Sequence, residues 1–133
     1  AVALGFADDI DATVALLQQS ATLNVLAEPL RNANLAYRSA VAHVLTHAKA
    51  DPNNVFAGSV LYLKLAALTL SAWHSARAAL AAESLRSTDE EFYAAKIGTA
   101  SFYIQHLLPR ASALAAAITS GGAVVADFDV AGF

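Results

Sequence analysis

Hydrophobic positions recur at helical spacing in four long runs, separated by short polar breaks. In the first run Phe6, Ile10, Val14 and Leu17 share one face, which predicts a helix over residues 6–19. Asp8, Asp9 and Asp11 crowd its start, where carboxylates complement the positive end of the helix dipole. The pattern breaks over 20–24. A second stripe then follows from Leu26, Leu30, Ala33, Tyr37, Val41, Val44 and Ala48, with Pro29 as the first helical residue or a bend just inside it.

Asp51 followed by Pro52 reads as an N-cap and first-residue pair, so a third helix is predicted to open there and run to 85. After a turn over 86–88, Thr88 and Glu91 form a T-x-x-E capping box that starts a fourth helix at Asp89. It runs to Ser120, where Gly121 and Gly122 stop it. Pro109 lies inside this helix, lacks a backbone donor and crowds the carbonyl of Gln105, so a kink is expected. The tail over 123–133 is apolar with two aspartates and predicts a last turn or two of helix.

Short turns between long helices favour antiparallel neighbours. The predicted fold is therefore all-α, an up-down bundle of four main helices with a short C-terminal tail. Helices of roughly 30 residues span ~45 Å, which makes it elongated. The fourth helix carries two apolar stripes side by side: Tyr93, Ile97, Ala100, Ile104, Leu107 and Leu108, then Phe92, Ala95, Thr99, Phe102 and Ala113. Only a narrow strip including Gly98, Ser101, Gln105 and Ser112 is left for solvent. The third helix has only Lys64, His74 and Arg77 as potentially charged residues between Val55 and Ala82. One bundle core hides one broad stripe per helix, so both are expected to present an apolar surface to some further partner.

Composition agrees with helix. Alanine is about a quarter of the 133 residues, hydrophobic types make up 57%, and Gly and Pro together number nine. The length suits one domain over 1–133. The net charge of -3 arises from 11 acids and 8 bases with no basic cluster, which argues against a nucleic-acid partner. Cysteine is absent, which removes disulfides, thiolate nucleophiles and Cys-ligated metal, and fits a cytoplasmic protein. Methionine is absent too, as expected of an excised fragment. No signal-peptide pattern stands at the N-terminus. The stretch 55–73 could span a membrane by length, but Lys64 near its centre would cost ~3 kcal/mol, so no membrane span is expected.

Candidate chemistry is sparse. His43 and His47, at i and i+4, bring two imidazoles to one side of a helix, as metal sites require. No Glu-x-x-His motif accompanies them, so no metal site is assigned. Glu90 and Glu91 resemble an acid-base pair, but they occupy the first turn of the fourth helix, where capping and the helix dipole already explain them, so no acid-base role is assigned. His74 and His106 lack an orienting carboxylate or a nucleophile in sequence. Tyr62, Tyr93, Tyr103, Phe92 and Phe102 could form a ligand platform, although aromatics at helical spacing usually pack a core. No catalytic or cofactor-binding residue is assigned, and no phosphate-cradling loop, G-x-S-x-G or H-E-x-x-H occurs.

From Ala95 to Pro109 the fourth helix reads A-K-x-x-T-A-x-F-Y-x-x-H-L-L-P. This segment resembles the signature of the C-terminal domain appended to a subgroup of bacterial acyl-CoA dehydrogenases, the 3-methylmercaptopropionyl-CoA dehydrogenase type. Asp51-Pro52, Tyr62-Leu63, Ala76-Arg77-Ala78-Ala79-Leu80 and Thr119-Ser120-Gly121-Gly122 support it. The resemblance is most specific over 51–120, and the first 50 residues match only in helical character. It implies a parent oxidoreductase of fatty-acid metabolism that uses FAD to remove a proton from Cα and a hydride from Cβ of an acyl-CoA. Electrons would pass to an electron-transfer flavoprotein. The catalytic residues and flavin site of such enzymes belong to preceding domains, so none transfers to a position here. An accessory role follows, covering the core enzyme or joining subunits of a homo-oligomer. A free-standing helical interaction protein, or a helical metal or ligand carrier built on His43 and His47, are the alternatives.

Overall fold

A computed structural model describes residues 2–127 and 130–132, and among them there is helix and turn but no strand. The helices are α1 (Val2–Gln19), α2 (Ala27–His47), α3 (Pro52–Ala57), α4 (Ser59–Leu85), α5 (Glu90–Phe102), α6 (Ala111–Thr119) and α7 (Ala123–Ala126). The all-α expectation holds, and all three predicted breaks are present.

Several boundaries are set by chemistry that the sequence pattern assigned differently. Helix α1 begins at Val2, so its aspartates lie beyond the first turn and do not face the dipole. Asp8 and Asp11 instead accept hydrogen bonds from Arg38 of α2, at 2.6 and 2.7 Å. Pro29 is not the first residue of α2 but the third, within the first turn, where its missing N–H has no intrahelical partner to lose. Asp51 caps α3 as expected, accepting from the Asn54 amide at 3.3 Å with Pro52 at the first position. The third helix is not continuous, because Gly58 separates α3 from α4. Gly58 is buried against Ile118 of α6, where an added Cβ would lie 3.6 Å from the Ile118 backbone.

Thr88 is not the N-cap of the fourth helix. Its hydroxyl donates to the Leu85 carbonyl at 2.6 Å, closing the 3₁₀ turn of Arg86–Thr88. Asp89 takes the cap with extended backbone, its carboxylate accepting from the Phe92 amide at 3.1 Å, so α5 opens at Glu90. The expected disturbance at Pro109 takes the form of a π turn over Tyr103–Leu107 and a 3₁₀ turn over Leu108–Arg110. Widening the helix releases the carbonyls that the proline ring would otherwise strike. Helix α6 ends at Thr119, and Gly121 adopts φ +85°, the left-handed geometry a helix stop favours. The C-terminal tail forms α7 and a 3₁₀ turn over Val130–Gly132, the remainder of the tail lying outside the described residues.

Contacts fix an up-down order. Asn34 and Arg38 meet residues 7–11, so α1 and α2 are antiparallel. Trp73 meets Thr13 and Glu83 meets Thr22, so α4 runs parallel to α1. Arg86 meets Glu90 and Leu68 meets Tyr103, so α5 returns antiparallel to α4. Helices α2 and α4 form the middle of the bundle, α1 and α6 each pack against both, and α5 packs chiefly against α4.

The core is built from Ile10, Leu17, Leu26, Leu30, Leu65, Trp73, Ile104, Leu108 and Ile118 with alanines between the helices. A smaller cluster of Ala7, Tyr37 and Val41 closes one end. Alanine at Ala72, Ala76, Ala79 and Ala82 of α4 explains how a helix so apolar can sit centrally, since small side chains let neighbours approach closely.

Candidate functional site

The histidine pair lies at the C-terminal end of α2, where the bundle core thins. His43 donates from Nε2 to Asn54 Oδ1 at 3.0 Å, which ties α2 to α3. His47 donates from Nδ1 to the His43 carbonyl at 2.9 Å, and the two rings lie 4.3 Å apart. Each imidazole therefore spends one nitrogen on structure. Among the described residues no group of three His, Asp or Glu side chains is arranged to hold a metal ion.

The remaining candidates do not converge. Glu90 accepts from Arg86 Nε at 2.7 Å, Glu91 points to solvent, and Asp89 is the cap. His74 is exposed with its ring on Trp73, and His106 is exposed with its ring on Phe102, 5.0 Å away. Aromatic side chains scatter across the fold rather than forming one platform. Tyr62 stacks on Tyr37 at 6.5 Å, Tyr103 donates to the Leu68 carbonyl at 3.4 Å, and Phe92 and Phe102 face outward.

Two polar features escaped the sequence pattern. Asn34, 1% exposed, donates from Nδ2 to the Ala7 carbonyl at 2.8 Å and to Asp11 Oδ1 at 2.7 Å. With Arg38 on Asp8 and Asp11 it clamps α1 to α2, and those hydrogen bonds hold the guanidinium still more firmly in its charged form. The second is Tyr37, whose hydroxyl is pushed up to about 12 by burial, then by the neighbouring Tyr62. The available signal was an asparagine falling between Leu30, Ala33 and Tyr37 on the apolar side of the second helix, with two acids at i and i+3 on the preceding helix.

A hollow of about 220 Å³ lies between the start of α2 and the Leu108–Arg110 turn, lined by Glu28, Pro29, Asn32, Leu108 and Pro109 among others. Two larger hollows, of about 430 Å³ between α2 and α6 and about 380 Å³ beside α3 against Gly122 and Val125, fall within the ~300–1,000 Å³ of usual small-molecule sites, but no charged side chain lines either of them. What the surface does offer is apolar: Phe56, Val60 and Leu63 on α3 and α4, 69%, 63% and 69% exposed, and Phe92 and Phe102 on α5, 50% and 58% exposed. The second stripe of the fourth helix, Phe92, Ala95, Thr99, Phe102 and Ala113, is exposed at every position. The first stripe, Tyr93, Ile97, Ala100, Ile104, Leu107 and Leu108, is buried or half-buried.

Residues 6–129 match the family model described as acetyl-CoA dehydrogenase C-terminal like. The chain belongs to this family. Its match reaches back to residue 6, so α1 and α2, which the sequence resemblance covered only in helical character, are part of the same unit. The chain is also 37% identical over 120 residues to a 3-methylmercaptopropionyl-CoA dehydrogenase of Ruegeria pomeroyi. That alignment covers 88% of this chain and 20% of the relative, so the chain spans about a fifth of the relative's length. In this member of the acetyl-CoA dehydrogenase C-terminal-like family, the segment from Ala95 to Pro109 forms α5 and the widened turn that follows it.

Proposed function

We propose that this chain is the accessory C-terminal domain of an FAD-dependent acyl-CoA dehydrogenase, with a docking role and no catalytic residue of its own. The observation that carries the reading is the solvent-facing apolar side chains of α3, α4 and α5. Single exposed apolar side chains such as Leu16, Val25, Leu35 and Leu45 occur elsewhere on the bundle, but large apolar groups that follow one another along a helix face mark a contact surface. The row of Phe56, Val60 and Leu63 is the part we assign to contact with the catalytic body of the parent. A relative about five times longer supports that setting.

The residues present do not fit FAD. A flavin pyrophosphate needs backbone donors or cations around it, whereas no Lys or Arg lines the hollow at the start of α2, the one between α2 and α6, or the one beside α3, and the first of them carries Glu28. Flavin and acyl-CoA are accordingly placed on other domains of the parent, which would act in the cytoplasm and deliver electrons to an electron-transfer flavoprotein. Among the described residues no helix is long and apolar enough to cross a membrane.

The test compares the 133-residue chain with the full-length parent. The chain should retain no flavin and reduce no artificial acceptor with acyl-CoA. The parent should do both, and Phe56→Glu with Leu63→Glu should lower its thermal stability and flavin retention. Stoichiometric flavin on the chain alone, or a doubly substituted parent as stable as the unaltered one, overturns the reading.

A further inference from the structure

We propose that the outer face of α5 is a twofold contact through which two copies of this domain pair, helix against antiparallel helix. This deepens the docking role above and rests on that reading for its setting, but it uses a different row of side chains.

Helix α5 leans chiefly on α4, and its far side carries Phe92, Ala95, Thr99 and Phe102 in solvent. Their order is the same from either end: large, small, small, large, with the two small residues two positions either side of Ile97 and the two phenylalanines five. Ile97 itself faces the bundle, so the midpoint of the outer row lies opposite it. An isologous twofold interface demands this property, since residue i must meet j while j meets i. Antiparallel pairing about that midpoint sets each Phe92 over the partner copy's Phe102 and each Ala95 over its Thr99. Small side chains at the centre let the two helices approach to ~8 Å, and the aromatic pairs close the ends.

Charge supports a second copy rather than an unrelated surface. Asp89 and Glu91 stand at the start of α5, where Glu90 is already paired with Arg86, and Arg110 follows its end. Antiparallel pairing brings the acidic end of one copy to the basic end of the other and opposes the two helix dipoles. Lys96, whose ammonium lies 5.2 Å from the Phe92 ring centre, sits at the rim and stays solvated. On the opposite rim is Gly98, where an added side chain would meet nothing within 4 Å. A helix-weakening residue that the bundle's own packing does not require leaves that flank low for a partner. One short helix pair buries less than the ~800 Å² per partner of a standard interface, so the isolated domain should pair weakly and the parent more firmly.

The chain contains no cysteine, which makes engineered ones unambiguous reporters. Ala95→Cys and Thr99→Cys chains, mixed at high concentration and oxidised, should form the mixed disulfide in preference to either homodimer. The proposed register places these two positions within disulfide reach and sets like positions further apart. Phe102→Glu should raise the dimer dissociation constant about tenfold or more in sedimentation, whereas Phe56→Glu should leave it unchanged. The same cysteine pair, introduced into the parent, repeats the measurement in the larger protein. Homodimers and mixed dimers in statistical ratio, or no crosslink in both the chain and the parent, overturn the pairing and leave the Phe56 row as a docking surface. Pairing that persists while the Phe56 and Leu63 substitutions leave the parent unaffected upholds the contact and removes the docking role instead.

Discussion

Replacing Asn34 by Asp is the sharpest perturbation of the α1–α2 clamp, because it exchanges one NH₂ for an oxygen with almost no change of volume. Asn34 is 1% exposed and donates to the Ala7 carbonyl at 2.8 Å and to the Asp11 carboxylate at 2.7 Å. Its own Oδ1 already lacks a partner, so the change removes both donors and keeps the unpaired acceptor. The charge-assisted bond is worth about 1.5–3 kcal/mol and the neutral one about 0.5–1.5 kcal/mol. The new carboxylate would also face a carbonyl and a like charge in a buried position, and removing a partner from such a group typically costs about 3–5 kcal/mol. We expect Asn34→Asp to lose ~3–5 kcal/mol at pH 7, against the roughly 5–15 kcal/mol of a typical domain. Urea unfolding followed by circular dichroism measures it, with an unchanged m-value showing that only stability has moved. Burial and the neighbouring Asp11 would raise the folded pKa of the introduced carboxyl group, so its penalty is complete above that pKa and fades as pH falls toward the unfolded value. The gap between variant and wild type should therefore narrow from pH 7 to pH 5. A loss below ~1 kcal/mol at pH 7, or one equal at both pH values, would refute the clamp.

Three further outcomes are expected. Tyr37 is held up to about 12 by burial and Tyr62, so its contribution is complete below pH 10 and is lost between pH 10 and 12 as the unfolded tyrosine ionises first. Tyr37→Phe should accordingly flatten the alkaline fall of stability by ~2–3 kcal/mol, measured as urea midpoints across that range. Thr69 is fully buried with an unpaired hydroxyl, so Thr69→Val should be neutral or stabilise by up to ~1 kcal/mol, and a clear fall in Tm would show that the hydroxyl has a partner. Gly122→Ala would place a Cβ 2.9 Å from the Asn54 Cα and 3.1 Å from the Asn53 carbonyl, so α3 must shift, with a loss of ~1–3 kcal/mol in thermal unfolding.

Most of the fold was legible because its signals are local. Asp51-Pro52, Gly121 and the periodicity of Ile10, Val14 and Leu17 act within a turn or two of themselves. Where the reading slipped, the deciding partner lay elsewhere in the chain. Asp8 and Asp11 looked like dipole acids until Arg38 and Asn34 arrived from α2. The break at Gly58 coincides with its close packing against Ile118, sixty positions downstream. Thr88 reads in sequence as the cap of the fourth helix, but its hydroxyl closes the 3₁₀ turn and the cap falls to Asp89.

The surface rows obey the same division. Periodicity showed that the fourth helix carries two apolar stripes, but a stripe does not say which neighbour covers it. The structure resolves this in one direction: Ile97, Ala100 and Ile104 turn inward, and Phe92, Ala95, Thr99 and Phe102 turn outward. A helix that must satisfy one intramolecular neighbour and still keeps two phenylalanines half in water loses solubility unless something covers them. The π turn adds to this, because inserting it after Phe102 shifts the helical phase, so α6 buries Ala111, Ala115 and Ile118 against α2 and α4 while α5 remains apolar on its far side. Pro109 thus does more than kink a helix. It lets one continuous stretch of sequence serve the core with its second half and leave its first half free for contact.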